Sequence, residues 1–248
     1  AMRPLSAAQV LALWDAGQTR HPIDRALLAL ALAMPEEAPG ELADRPVGWR
    51  EVNLLALRNA TFGCALDGYA PCPSCGALME FSLDGKALLD GLPTPDSNTR
   101  IKLDGQQWRL PSSRDQAMIL DAPDPETAVY WLLDRCRIEE GGLTDVPTVN
   151  QKKSPKTKSS PALIGELESH MEALDPAADI RIGMQCADCG DVWNAVLDVG
   201  ACLWDELGSR AHQLLESVHR LASAYGWREA EILALSPARR AAYLNMIG

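Results

Sequence analysis

Residues 71–76 read Pro71-Cys72-Pro73-Ser74-Cys75-Gly76, and residues 186–190 read Cys186-Ala187-Asp188-Cys189-Gly190. Each is a pair of cysteines two residues apart with a glycine directly after, the composition of a metal knuckle. A tight turn presents both thiolates on one side, and the glycine lets backbone N–H groups face the sulfurs. Two such knuckles supply the four thiolates of a closed tetrahedral zinc site, so Cys72, Cys75, Cys186 and Cys189 are the predicted ligands of one structural Zn2+. The spacing departs from that of a compact ribbon: residues 76–185, 110 in all, lie between the pairs, against roughly 15–20 in the usual arrangement. Either one ribbon is split by an insertion of helices and a hairpin, or each pair serves a site of its own. One shared site is the economical answer, because two-thiolate sites are rarely closed and neither pair has other ligands nearby.

The flanking segments choose between metal and redox chemistry. Ala77 to Leu83 alternates like a strand and stops at Asp84-Gly85, and strands over Asp179 to Met184 and Val192 to Leu197 bracket the second pair. A redox dithiol would open a helix inside a βαβ unit, whereas strands here follow both pairs, which favours a metal. Cys64, Cys136 and Cys202 read as small buried apolar residues. Seven cysteines, with no secretory pattern after Met2-Arg3-Pro4, imply reduced thiols in a cytoplasmic protein. The longest apolar run, Ala26 to Met34, is far short of the ~20 residues of a membrane-spanning helix.

Outward from the cysteines the periodicity turns helical. Ser6 and Gln9 form a capping box for a first helix carrying Val10, Leu11, Leu13 and Trp14. Pro22 suits the first turn of a second, from Ile23 to about Met34, apolar almost all round and therefore buried. A third covers Trp49 to about Ala60 and ends near Phe62-Gly63. In the middle, Arg100 to Leu103 and Gln107 to Leu110 flank Asp104-Gly105, a strong hairpin signal. Ser112 to Asp115 and Asp124-Pro125-Glu126 each cap a helix, the second presenting Val129, Leu132, Leu133 and Cys136 on one face. Near the end, a long helix from about Leu203 to Ala224 stops at Gly226, followed by short helices from Trp227 and from Pro237, the latter capped by Ser236. The expected class is α+β, mainly helical at both ends, with a small β-rich, four-cysteine, zinc-ribbon-like region in the middle. The expected organisation is an N-terminal helical region (1–63), the first knuckle with hairpin and helices (64–148), a flexible linker (149–161), a helix with the second knuckle (162–202) and a C-terminal helical region (203–248). The linker carries four Lys, two Pro and three Ser without apolar periodicity and reads as a solvated loop.

A net charge of −11 argues against binding a phosphate backbone. The two short C-terminal helices evoke a helix-turn-helix reader, but five basic residues between Asp205 and Gly248 are matched by five acidic ones. For a deaminase, His170-Met171-Glu172 and Pro71-Cys72-x-x-Cys75 stand in the wrong order, and that reading leaves one cysteine pair unexplained. No P-loop, GxGxxG, GxSxG or HExxH is present, and His212 and His219, seven apart on one helix, read as packing or surface residues. The expectation is a protein without catalytic residues.

The run Val218-His219-Arg220-Leu221-Ala222, then Tyr225-Gly226-Trp227-Arg228-Glu229-Ala230-Glu231-Ile232-Leu233-Ala234-Leu235-Ser236, Arg239-Arg240 and Tyr243-Leu244, resembles the C-terminal signature of baseplate hub assembly proteins. These serve contractile-tailed phages of the T-even type and related contractile injection systems. His21-Pro22-Ile23-Asp24-Arg25-Ala26-Leu27, the Phe62-Gly63 turn with the Cys72 knuckle, and Trp108 to Asp115 resemble zinc-containing relatives. The resemblance implies an assembly factor or chaperone whose partners are baseplate, hub or spike proteins. Tyr225, Trp227, Ile232, Leu235, Tyr243 and Leu244 are expected to cluster, and Arg239 and Arg240 to be exposed. The expected partner-binding residues are Tyr225, Trp227, Arg239, Arg240 and Tyr243. The competing reading is a zinc-ribbon adaptor for nucleic acid or a nucleic-acid machine.

Overall fold

The computed structural model describes residues 2–138 and 160–247. Four helices build the larger core: α1 (Ala7–Gly17), α2 (Pro22–Ala33), α4 (Val47–Phe62) and α9 (Val199–Tyr225), with a short α3 (Pro39–Asp44) between α2 and α4. The starts follow the sequence signals. Ser6 and Gln9 make the reciprocal capping box, and Pro22 opens α2 behind His21. Leu11, Leu13, Leu30, Leu54, Leu55, Leu57, Leu203, Leu207 and Leu214 interlock in one apolar cluster. Only one side of α2 is fully buried (Ala26, Ala29, Leu30 and Ala33), so its apolar outer residues are half-covered and the expectation of complete burial is corrected. Helix α9 lies so close to the end of α1 that Trp204 fills the space a side chain at Gly17 would need, while Arg25 stacks on the same indole at 4.3 Å.

Two antiparallel hairpins join this core. β1 (Ala65–Pro71) pairs with β2 (Leu78–Asp84), and β6 (Arg181–Gln185) with β7 (Val192–Val196). Leu66 and Ala70 from the first, and Ile182, Met184 and Ala195 from the second, enter the apolar cluster of the helices. Arg58 of α4, almost fully buried, fastens the first hairpin. It donates to the carbonyls of Gly63 and Ala65 and to both carboxylate oxygens of Glu206 on α9. Asn59 donates to the Gly85 carbonyl at 2.7 Å, at the start of α5 (Gly85–Gly91).

A second, smaller core lies between the hairpins in sequence. β3 (Arg100–Leu103) and β4 (Gln106–Arg109) form the predicted hairpin, with both Asp104 and Gly105 at positive φ as a two-residue turn of this hand requires. β5 (Arg137–Ile138) adds a third strand beside β4. Ile101, Trp108, Leu110, Leu133, Cys136 and Leu167 pack together, drawing in α7 (Pro125–Cys136) and α8 (Pro161–Leu174). The expected linker lies outside the described residues except for Ser160 and Pro161, which cap and open α8.

The N-terminus of α4 holds the two cores together. Val47 N–H donates to the Pro111 carbonyl at 2.9 Å, and Arg50 donates to Ser113 and Gln116 of α6 (Ser113–Ile119). Gly48 N–H donates to Asp175, whose carboxylate sits where a β-carbon on Gly48 would be. Behind this contact Asp115 is wholly buried and accepts from Arg109, Arg135 and Ser112. Burial by itself would raise the Asp115 pKa, but the Arg109 guanidinium and the Ser112 donors outweigh it and hold the carboxyl below its ordinary value. Burial pushes Glu51 up, against the lowering effect of Arg50, and pushes Asp175 up, against its bond to Gly48.

These groups pull stability in opposite directions. Asp115 stabilises the fold at and above the ordinary carboxylate range and ceases to do so as pH falls through its lowered pKa. Glu51 and Asp175 favour the fold below their unfolded pKa values and withdraw that support as pH rises through their raised ones. Asp115→Asn is expected to cost about 3 kcal/mol near neutral pH, because it leaves two arginines without their anion. Urea unfolding of both proteins across a pH series should show that difference shrinking as the medium becomes more acidic than the carboxylate range. A constant difference would mean the charge of Asp115 is irrelevant.

Candidate metal centre

Each knuckle is the turn of one hairpin. Residues 72–77 join β1 to β2, whose last pair is Pro71 with Leu78, and residues 186–191 join β6 to β7, whose last pair is Gln185 with Val192. The backbone of the two turns is the same. Cys72 N–H donates to the Ala77 carbonyl and Gly76 N–H to the Cys72 carbonyl, at 2.8 and 2.9 Å; Cys186 N–H donates to Asp191 and Gly190 N–H to Cys186, at 2.8 and 3.0 Å. Gly76 and Gly190 have φ of 75° and 77°, the left-handed conformation that closes each turn and that glycine adopts without steric cost.

The two turns face each other across the molecule. Cys72 Sγ lies 3.6 Å from Cys189 Sγ, and Cys75 Sγ lies 3.6 Å from Cys186 Sγ. All four sulfurs fall within 4.8 Å of one another. A disulfide would bring two of them to ~2.05 Å, whereas four thiolates around one ion at ~2.3 Å stand roughly 3.8 Å apart. The observed separations fit the second arrangement, so the chain positions four cysteines to hold one metal ion. Both predicted pairs therefore belong to one site, and the alternative of two sites is set aside.

Around the sulfurs, the first cysteine of each pair is buried and the second exposed. The Cys186 thiol is brought down to about 7, first by the Cys189 N–H directed at its sulfur, against the effect of burial, and then by that of Asp188. Cys189 is pushed up to about 12: the Asp191 N–H lowers it, but the neighbouring thiols of Cys186, Cys75 and Cys72, together with burial, prevail. Four sulfurs this close do not all ionise alone, and a divalent cation between them reverses that balance by releasing the protons. Four thiolate donors are the ligand set of a four-coordinate site.

Residues outside the cysteines complete the site. Ser74 donates to Asp191 across the two knuckles, and the Ala187 N–H reaches Met79 Sδ at 3.3 Å. Asp84 and Asp198 accept from the first N–H groups of α5 and α9, so each hairpin leads directly into a capped helix. The two halves correspond in step: Cys72 with Cys186, Cys75 with Cys189, Gly76 with Gly190, and Leu83-Asp84 with Leu197-Asp198. This register is a sequence signal that locates the aspartate caps and the hairpin halves.

The histidines take no part. His212 packs edge-on against Trp14 at 5.3 Å and bonds to the Gly208 carbonyl, and the four cysteines are the only metal-ligating cluster among the described residues. At the C-terminal end, Tyr225 stacks on Trp227 with ring centroids 4.7 Å apart, and Tyr243 meets both rings edge-on, at 5.8 Å from Tyr225 and 4.9 Å from Trp227. Arg239 is exposed as expected, but Arg240 is not: it is only 4% exposed. One step along a helix turns the side chain by ~100°. After the short α10 (Glu229–Ala234), Arg240 thereby takes the side of α11 (Pro237–Met246) that borders one cavity with the half-buried Leu244, and Arg239 points outward.

No family model, curated protein or solved structure matches this chain.

The centre predicts one thiophilic divalent ion per chain by elemental analysis under reducing conditions. Cys72→Ser or Cys186→Ser should bring the content well below one, and loading the metal-free protein should release protons. Removing the ion is expected to cost on the order of 10 kcal/mol of folding energy, seen as faster amide exchange over 65–84 and 181–196. Full stability in the presence of a strong chelator would sink the assignment.

Proposed function

We propose that the chain is a non-enzymatic assembly factor or chaperone for the baseplate or hub of a phage-tail-like contractile particle, stabilised by one structural zinc. Zinc suits four thiolates because it has no redox chemistry and accepts tetrahedral sulfur without preference from d-electrons. A shell closed by four protein ligands favours a structural role over a catalytic one. The work then falls to surfaces.

The observation that carries a protein-binding role is the aromatic trio at the C-terminal end. Tyr225, Trp227 and Tyr243 are held in fixed orientations on three different segments, yet none is fully buried. Tyr225 is 37% exposed and Met246 71%, with Arg239 in the open nearby in sequence. Pre-ordered aromatics, methionine and arginine are the residue types enriched where proteins meet. This same segment carries the resemblance to hub assembly proteins, which is what ties the surface to a contractile particle. The mechanism is recognition: a zinc-pinned scaffold presents helical surface to a hub or spike subunit before the subunit joins the particle.

The test is a tagged pull-down from cells making a contractile particle. Hub, baseplate or spike subunits should be recovered with the wild-type chain, and much less with Trp227→Ala combined with Tyr243→Ala, while metal content stays at one ion per chain. Recovery of polymerase, ribosome or nucleic acid would replace this reading with the zinc-ribbon adaptor.

A further inference from the structure

Arg240 is the one buried cation among the described residues whose charge no partner answers. Its Nη1 is sealed from solvent and has no hydrogen-bond partner, and no carboxylate among the described residues pairs with its guanidinium. Burial, and after it the like charge of Arg210, lowers its pKa. Leaving a buried guanidinium unpaired is costly, so the position calls for an anion.

Space for one exists on both sides of it. A cavity of about 290 Å³ is bordered by Arg210, Arg220, Arg240, Gln213 and Ser217, with Glu216 as its one acidic residue. A second, of about 340 Å³, is walled mainly by Leu5, Val10, Phe62, Leu233 and Leu235, with Ser6 and Thr61 at its border. Arg210, Pro237 and Arg240 line both, so the two guanidinium groups stand where a polar chamber meets an apolar one. Few convergent polar groups beside an apolar cavity of a few hundred Å³ is the build of a small-ligand site.

We propose that this corner binds an organic carboxylate, its two oxygens accepting from Arg240 and Arg210 and its apolar group lying among Leu5, Val10, Phe62 and Leu233. The planar guanidinium fork matches a planar carboxylate. The apolar chamber has room for a side chain the size of leucine, which an inorganic anion such as phosphate would leave unfilled. The carboxylate can belong to a free acid or to the end of a peptide whose last residue is apolar; the chemistry is shared. The site is separate from the metal centre and does not depend on the assembly reading.

Calorimetric titration of the full, metal-loaded chain tests it, with hexanoate against hexanamide and an acetylated tripeptide ending in leucine as free acid against its amide. The acids should bind and the amides should bind at least about tenfold more weakly. If the peptide acid binds about tenfold tighter than hexanoate the natural source is a chain terminus, and if not it is a small acid. Arg240→Met should abolish the preference for the acid without lowering the melting temperature, since it removes an unpaired buried charge. Arg210→Gln, at a partly exposed position, should weaken binding about tenfold and guards against a folding defect in the first variant. No binding by either acid, equal binding of acid and amide, an equal response to inorganic phosphate, or unchanged binding in both variants overturns the proposal.

Discussion

Four sulfurs from two distant turns meet at one point, and the remaining architecture is arranged to make that meeting possible. Neither hairpin is large enough to stand alone, since a two-stranded ribbon is at best marginally stable in water. Each gains support from one buried face against the helices, through Leu66 and Ala70 on one side and Ile182, Met184 and Ala195 on the other. A metal adds a bond between the ribbons that the apolar contacts do not supply. It also closes a loop of more than a hundred residues, whose closure entropy grows only slowly with length, so a long insertion is tolerated at little extra cost.

The insertion is not a passive loop. It has a core of its own around Trp108 and Leu133, and it returns to the helical core through α4. One end of α4 receives Pro111, Ser113 and Asp175, while the other end carries Arg58 and Asn59 to the first hairpin. A single helix thus sets the distance between insertion and ribbon. Gly48 is where this matters most, because any β-carbon there would collide with the Asp175 carboxylate and separate the two layers.

What the sequence disclosed followed from local chemistry. The capping box at Ser6, the cap at Ser112 to Asp115, the Asp104-Gly105 turn and the Gly226 stop are decided by a few adjacent residues, and the structure places each where the residues indicate. The metal ligands were legible for the same reason: two knuckles carry their geometry in five residues each. The missed strand β1 has Gly68 and Asp67 inside it and only Leu66 and Ala70 fully buried, so its alternation is weak; its seven pairs with β2 supply what propensity does not. Helix α5 was hidden because Asp84-Gly85 reads equally as a turn and as a cap. The two-residue β5 has no periodicity to detect and exists only because β4 offers an edge. Arg240 was misplaced because two adjacent arginines look alike in sequence, while helical phase sends one outward and the other in.

Burial of charge separates what holds this molecule together from what it does. Arg58 is buried and satisfied by two backbone carbonyls and a carboxylate. Asp115 is buried and answered by two arginines and a serine. Arg50 is buried and reaches Glu51, Ser113 and Gln116. Each of these joins elements that are far apart in sequence or fixes a helix end, and each has its partners inside the chain. Four clustered cysteine sulfurs, and a guanidinium with no anion among the described residues, break that pattern in the same way: neither has its counter-charge within the described fold. The four sulfurs therefore mark the place of a cation between the ribbons, and Arg240 is where the proposed carboxylate would answer a buried charge beneath α11.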